Sequence, residues 1–165
     1  MLRGGALLLQ GALRDAVAML RAGLQTPLGR DLSRPFGLVY LAQAMASSGE
    51  PAAALGLIDE AIAMMEAAGH RQCEPEFYRI QGIALRAQND VQGSQAAFAE
   101  ALRSARRRQM KAYELRAATD LARLLGEEGL REEARELLAP LYGWFTEGFD
   151  TVDLKKAALL LADLS

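Results

Sequence analysis

The scarce residue types of this 165-residue sequence exclude several protein classes. Cys73 is the one cysteine, so the chain has no intrachain disulfide framework, and we expect a reducing, cytoplasmic location. Aromatic residues make up only 6% and β-branched residues are few, which argues against a β-rich fold. Every apolar run is shorter than the ~18 residues of a membrane helix, so we expect no membrane partner.

The numbers of acidic and basic residues are nearly equal. Lys and Arg number 19 against 21 for Asp and Glu, and the formal net charge is −2. This balance gives no global attraction to nucleic acid, so a nucleic-acid partner is disfavoured. Hydrophobic residues reach 51%, which is typical of a globular chain.

The abundant residues, Ala, Leu, Arg and Glu, are good helix formers and predict an all-α fold. Pro35 and Pro51 fit the starts of helices, and Thr26–Arg34 is the longest predicted connection. Asp150 or Thr151 is expected to cap the last helix. The pattern predicts nine helices, at about 2–9, 12–25, 36–48, 51–68, 75–88, 91–107, 111–127, 130–145 and 151–164.

One packing pattern recurs along the chain. A first helix carries a small residue on its apolar face, and after a turn the second helix carries a small residue followed, four positions later, by a large apolar anchor. The small residues of the first helices are Gly4, Ala42, Gly82 and Ala122, and the anchors are Leu20, Ile58, Phe98 and Leu138. The two series have the same three intervals along the sequence, and the last two intervals are equal. A small residue lets the second helix approach closely, and the anchor fills the groove beside it.

The copy that contains Tyr78, Gly82, Ser94 and Phe98 is the clearest. It resembles a tetratricopeptide repeat, although the period of that repeat is shorter, about 34 residues. The resemblance implies an α-solenoid of about four helix pairs plus a C-terminal capping helix, with residues 1–165 as a single domain, because one pair cannot bury its own apolar face. Such arrays bind proteins or peptides, so we predict an interaction module and not an enzyme.

The segment Glu114–Leu164 carries a second resemblance. It contains Glu114-Leu115-Arg116-Ala117-Ala118, the run from Glu136 to Thr151, and Asp153-Leu154-Lys155. It is similar to the C-terminal region of bacterial regulators in which an adenylate cyclase or winged-helix domain precedes a P-loop ATPase domain and a tetratricopeptide-like array. This likeness implies a regulatory or sensory module of a bacterial signalling protein, and the chain is then the end of a longer protein or a free-standing relative.

Two other functions stay open. The first is a stand-alone adaptor or a self-associating scaffold, in which case the chain forms a homo-oligomer. The second is a sensor that binds an effector or nucleic acid. The phosphate-binding loop G-x-x-x-x-G-K-[ST] has no match in the chain. His70 and Cys73 are three residues apart, but a structural zinc site needs about four ligands and the chain has one His and one Cys. We therefore predict no catalytic residue, no metal and no cofactor.

Two clusters have competing interpretations. A basic run at the end of a helix either contacts phosphates or, as we favour, stabilises the helix C-terminus. A group of aromatic residues is either an exposed docking anchor or, as we favour, a plug packed under the final helix. The basic run is Arg103, Arg106, Arg107, Arg108 and Lys111, and the aromatic group is Tyr142, Trp144, Phe145 and Phe149.

The first helices of such arrays line a concave groove. Arg79 and Arg86 are seven residues apart, as are Arg116 and Arg123, so each pair shares one helix face. Together with Gln43 they form the predicted partner-binding groove, in which four guanidiniums bind carboxylates of an acidic peptide. The alternative is a solvated face with local ion pairs, such as Glu76 with Arg79.

Overall fold

A computed structural model describes residues 13–26, 34–69 and 73–165. In these ranges the chain forms eight α-helices and no strand, which confirms the all-α prediction. Each helix matches a predicted one to within two residues at either end; the predicted helix at 2–9 and residues 27–33 lie outside the described ranges. The helices are α1 (Leu13–Gln25), α2 (Arg34–Ser47), α3 (Pro51–Ala67), α4 (Glu74–Ala87), α5 (Val91–Arg107), α6 (Lys111–Glu127), α7 (Arg131–Gly143) and α8 (Val152–Asp163).

The chain divides into two compact units. Unit 1 comprises Met1–Cys73 and Ile80–Ser94, and unit 2 comprises Glu74–Arg79 and Gln95–Ser165, so that α4 and α5 each contribute to both. In the described part of unit 1, α2 packs against α1 and against α3. In unit 2, α6 packs against α7, and α8 packs against both of them.

Tight turns at equivalent positions of successive pairs join the two helices of each pair. Gly49, Asn89 and Gly129 end the first helices in the left-handed conformation, with φ of 92°, 63° and 84°. After each of them, the next backbone N–H donates to the carbonyl oxygen five residues back, at 2.9–3.0 Å. This closure satisfies carbonyls that a helix end otherwise leaves unpaired. Glycine and asparagine suit these positions because they tolerate a positive φ.

The predicted anchors form the core. Leu20, Ile58, Phe98 and Leu138 are fully buried, and so are the small residues four positions before them, Ala16, Ala54, Ser94 and Ala134. On the first helices, Ala42, Gly82 and Ala122 are buried, whereas Gly4 lies outside the described residues. The Ser94 hydroxyl donates to the carbonyl oxygen of Gly82 at 2.9 Å. The second helix therefore approaches the backbone of the first where the sequence predicts it.

The last helix begins as predicted but is capped differently. Thr151 occupies the N-cap position, yet its hydroxyl donates to the Gly148 carbonyl oxygen at 2.7 Å and accepts no hydrogen bond from an amide of α8. Asp153 lies in the first turn, where a negative charge is favourable. In the described ranges, none of the helices combines the length and apolar character that crossing a membrane requires.

Candidate functional site

Arg79 of α4 lies at the centre of a cluster of charged side chains in unit 2. Its Nε and Nη2 atoms donate to the two carboxylate oxygens of Glu76, at 2.9 and 2.8 Å, in a bidentate pair. Its Nη1 donates to Asp120 of α6 at 2.6 Å. The Arg79 side chain is only 10% exposed. One buried guanidinium therefore ties the start of α4 to α6.

Arg116 makes the next connection along the same unit. Its Nε donates to Asp153 of α8 at 2.6 Å, and its Nη1 lies 3.6 Å from Glu76. Its guanidinium also lies 5.5 Å from the centre of the Tyr113 ring. Arg116 thus joins α6 to α8, while the carboxylate of Glu76 is shared between two arginines.

Arg123, two helical turns further along α6, is held less tightly. Its Nη1 lies 3.6 Å from the nearer oxygen of Asp120, which is an ion pair but too long for a hydrogen bond. We call these three arginines and three carboxylates the ion network; its members are Glu76, Arg79, Arg116, Asp120, Arg123 and Asp153.

The surroundings of the ion network keep it charged. Burial opposes the charged form of Glu76, but the attraction and hydrogen bonds of Arg79, with help from Arg116, outweigh burial and hold the pKa of Glu76 below its ordinary value. Burial likewise disfavours the charged form of Arg79, and the carboxylates of Glu76 and Asp120 overcome it, so the pKa of Arg79 is raised. The pKa of Arg116 is also raised: its burial is outweighed by the hydrogen bond to Asp153 and by Glu76. These shifts favour the charged forms of Glu76, Arg79 and Arg116, and the three arginines of the network match its three carboxylates in number.

This arrangement corrects the chemistry predicted for the groove. Arg79, Arg116 and Arg123 do come together, but they do not form a cluster of uncompensated positive charge, because each lies beside a carboxylate. The predicted alternative of a Glu76–Arg79 pair is confirmed. Arg86 and Gln43 belong to unit 1. A groove that joins them to the ion network stays a prediction.

Sequence reasoning missed Asp120 and Asp153 as members of the site. Their arginine partners lie 41 and 37 residues away, on other helices. One signal was present, because Asp120 is three residues before Arg123 and four after Arg116, on the face already assigned to the arginines.

The basic run at the end of α5 is partly paired with carboxylates of the protein. The buried Glu114 carboxylate accepts hydrogen bonds from Lys111 at 2.7 Å and from Arg106 at 3.0 Å. The buried Glu74 carboxylate, at the equivalent position of the preceding pair, accepts hydrogen bonds from the Ser104 hydroxyl at 2.7 Å and from Arg108 at 3.1 Å. Burial raises the pKa of each carboxyl, but these hydrogen bonds outweigh burial and the pKa of each is lowered. The pairing supports the helix-end interpretation over phosphate binding.

The aromatic group lies at the end of α7, which contains Tyr142, and in the connection to α8, which contains the other three rings. Trp144 and Phe149 are exposed, so the prediction of a buried plug is wrong for both. The residues that α8 buries are instead aliphatic, Leu154, Ala157 and Leu160. Trp144 packs edge-on against Phe145, with ring centres 5.1 Å apart, and the Lys111 ammonium lies 5.6 Å from the centre of the Trp144 ring.

The described residues contain no group of three or more His, Cys, Asp or Glu side chains arranged to hold a metal ion. Cys73 is half-buried and lies just before α4. His70, the other residue weighed as a zinc ligand, lies outside the described residues.

Comparison with protein-family models and with curated proteins gives no match. Two crystal structures are similar in fold. One is of a Podosopora anserina putative kinesin light chain with nearly identical TPR-like repeats. The TM-score is 0.66 and the sequence identity is 18%, and the match covers 98% of this chain and 81% of that chain. The other, a variant of the same protein with one glutamine-to-methionine substitution, has a TM-score of 0.68 at 18% identity over the same shares. Together with the buried repeat pattern, this similarity shows the fold: the chain is an all-α array of tetratricopeptide-like helix pairs, of the α-solenoid class.

Proposed function

We propose that this chain is a non-catalytic protein-interaction module that passes a regulatory signal within a bacterial signalling protein. Tetratricopeptide-like repeats build extended surfaces that suit protein or peptide binding, and that supports an interaction role in general. The bacterial regulator context rests on the resemblance of Glu114–Leu164. In this proposal residues 1–165 act as one repeat domain in the cytoplasm.

The observation that carries the binding site is the layering of charge in the ion network. The side chains of Arg116 and Arg123 are each 36% exposed, whereas those of Glu76 and Asp120 are 9% and 17% exposed. These two carboxylates therefore lie deeper than the two guanidiniums, which are seven residues apart on α6, whereas Asp153, bound to Arg116, is 31% exposed. A protein partner that reaches Arg123 therefore meets the guanidinium before the carboxylate of Asp120.

The partner that fits this face is an acidic peptide or an acidic segment of the same regulator. Arg123 is its main anchor, because at 3.6 Å its donors do not hydrogen-bond to Asp120 and can bind an incoming carboxylate. Arg79 is excluded as a direct contact, since all three of its terminal nitrogen groups donate to Glu76 or Asp120. Its role is to position α6.

A fluorescence-anisotropy titration tests this site. The probe is a labelled ten-residue peptide of alternating Glu and Ser, and the control peptide carries Gln in place of Glu. We expect the acidic peptide to bind, and binding to weaken with salt, because exposed ion pairs are screened over about 10 Å at 0.1 M ionic strength. Arg123→Gln is expected to weaken binding by about three-fold or more.

The matched control is Arg103→Gln. Arg103 is more exposed than Arg123, at 63% of its side chain, and lies on α5, outside the ion network. Equal losses from the two substitutions would show non-specific charge attraction, and no preference for the acidic peptide over the Gln peptide would remove the proposed ligand class.

The regulator context has its own test. A P-loop ATPase domain encoded upstream in the same reading frame would support the regulator, whereas a complete, separate gene without such a domain would favour the stand-alone adaptor.

A further inference from the structure

The helix α8 exposes the face that α4 and α6 bury. Positions 79, 119 and 159 are equivalent by the repeat period, as are positions 82, 122 and 162. Arg79 and Thr119 are buried, but Leu159 is 68% exposed. Gly82 and Ala122 are buried, but Ala162 is exposed. In α8 these two positions are therefore occupied by Ala162 and Leu159, and no other helix covers them within the described residues.

The other first helices show what packs against this face. Gly82 accepts the hydrogen bond from Ser94 of α5, so this is the side on which the second helix of the pair packs. In unit 2, α7 packs against α6 and buries its anchor Leu138. The opposite side of α8, with Leu154, Ala157 and Leu160, is the one buried within unit 2. What α8 leaves uncovered is therefore a surface built to receive an antiparallel helix.

The exposed face also has a charge pattern that is complementary to itself. Val152, Lys156, Leu159 and Asp163 follow one another at spacings of four, three and four, which places them on one stripe. All four are exposed, and within the described residues neither Lys156 nor Asp163 has an ion-pair partner. Leu159 thus lies between Lys156 and Asp163, and the Arg131 guanidinium of α7 donates to the backbone carbonyl oxygen of Asp163.

We propose that this face binds a second copy of the chain, with the two α8 helices antiparallel about a two-fold axis beside Leu159. In that arrangement, Lys156 of each copy lies near Asp163 of the other, and Leu159 of each packs beside the small Ala162 of the other. A parallel arrangement would place Lys156 against Lys156 and Asp163 against Asp163, and the like charges would repel. The proposal is independent of the acidic ligand assigned to Arg123.

The size of the surface determines how the association behaves. A single helix of 12 residues buries less area than the ~1,000 Å² at which specific interfaces become stable, so the dimer is weak and depends on concentration. Sedimentation equilibrium of the full 165-residue chain over a concentration series is therefore the measurement, with helicity checked by circular dichroism. We expect a reversible monomer–dimer equilibrium.

Substitutions at the stripe test the face. Leu159→Glu should weaken dimerisation by ten-fold or more, because it places a charge at the centre of the contact. Met19→Glu is the matched control: Met19 is an exposed apolar residue on α1 in unit 1, and its substitution should leave the equilibrium unchanged. A dimer that Leu159→Glu does not affect, or that Met19→Glu disrupts equally, would show that another surface forms it.

A charge exchange tests the orientation. Lys156→Glu and Asp163→Lys should each weaken the dimer several-fold, because each brings like charges together, and the double variant should restore it. Failure of the double variant to recover association would overturn the antiparallel arrangement. A chain that stays monomeric at every concentration would overturn the proposal and leave the face to a helix of another protein.

Discussion

The strongest test of the ion network is the removal of its central guanidinium by Arg79→Met. Methionine keeps much of the apolar stem of the arginine but removes all the charge and all the donors. The Glu76 carboxylate, 9% exposed, then loses both of its bidentate hydrogen bonds, and Asp120 loses its 2.6 Å partner. Breaking a buried ion pair on one side typically costs about 3–5 kcal/mol, because the remaining charge is buried without compensation. Because Arg116 lies 3.6 Å from Glu76 and Arg123 lies 3.6 Å from Asp120, part of the compensation remains, and we expect a loss at the lower end of that range in the free energy of unfolding.

The same reasoning predicts a recovery. Adding Glu76→Gln to Arg79→Met removes the orphaned charge, so we expect the double variant to be more stable than Arg79→Met alone. In Arg79→Met itself, burial is left with less opposition, so the folded-state pKa of Glu76 rises. If it rises above the unfolded value, the folded protein binds the proton more tightly, and the loss of stability should shrink as the pH falls through that folded-state pKa.

Urea unfolding provides the assay, followed by circular dichroism for the helices and by the fluorescence of Trp144, the single tryptophan, for unit 2. The expected result is a lower midpoint with an unchanged slope. Arg103→Met is the control: Arg103 is paired with Glu100 but exposed, and its loss should change stability by no more than about 0.5 kcal/mol. A cost below about 1 kcal/mol for Arg79→Met, or no recovery on adding Glu76→Gln, would refute the account of a buried, compensated network.

Three other predictions follow from the same structure. Glu74, Glu76 and Glu114 have lowered folded-state pKa values. Their contribution to stability is therefore present above the unfolded-state pKa of about 4.3 and is lost as the pH falls through their folded-state pKa values. Urea unfolding curves between pH 7 and 3 check this, and a urea midpoint that does not fall with pH contradicts it. Gly82→Leu should lower the free energy of unfolding by about 1–3 kcal/mol in thermal or urea unfolding, because the second helix packs at this position. Gly56→Leu, in α3 with open space around it, is the control and should not destabilise the protein. Equal effects of the two substitutions would show that the predicted register of the helix faces is wrong. The purified chain should not hydrolyse ATP, because the sequence has no phosphate-binding loop, and saturable hydrolysis abolished by one substitution in this chain would overturn the non-catalytic proposal.

The helices and the core could be predicted because local signals coincide with tertiary packing. Gly49, Asn89 and Gly129 mark the turns by their tolerance of a positive φ, and the small-residue and anchor series mark the faces that pack. The same periodicity explains why the anchors are buried, since a fixed spacing places them at the same point of successive pairs.

The pairing of charges could not be predicted in the same way. Helical periodicity gives the face of a residue but not the side chains that meet it from a helix of the next pair. Asp120 and Asp153 were therefore missed, although both are visible in the sequence. The exposure of Trp144 was also mispredicted, because hydropathy favours burial of a large ring but does not show which side chains the last helix buries, and those are aliphatic residues such as Leu154 and Leu160.

Two tight arginine–aspartate hydrogen bonds join successive first helices, although the residues that make them are not at equivalent positions of the repeat. Arg79 of α4 donates to Asp120 of α6, and Arg116 of α6 donates to Asp153 of α8, each at 2.6 Å. Each step uses one arginine and one aspartate, so α6 supplies an aspartate to the helix before it and an arginine to the helix after it. Arg123 is the remaining arginine of the network, and the aspartate beside it is already bound to Arg79. Within the network, Arg123 is thus the guanidinium that makes no hydrogen bond to a carboxylate, so if the proposed acidic ligand binds there, substitution of Arg123, and not of Arg79, separates binding from stability.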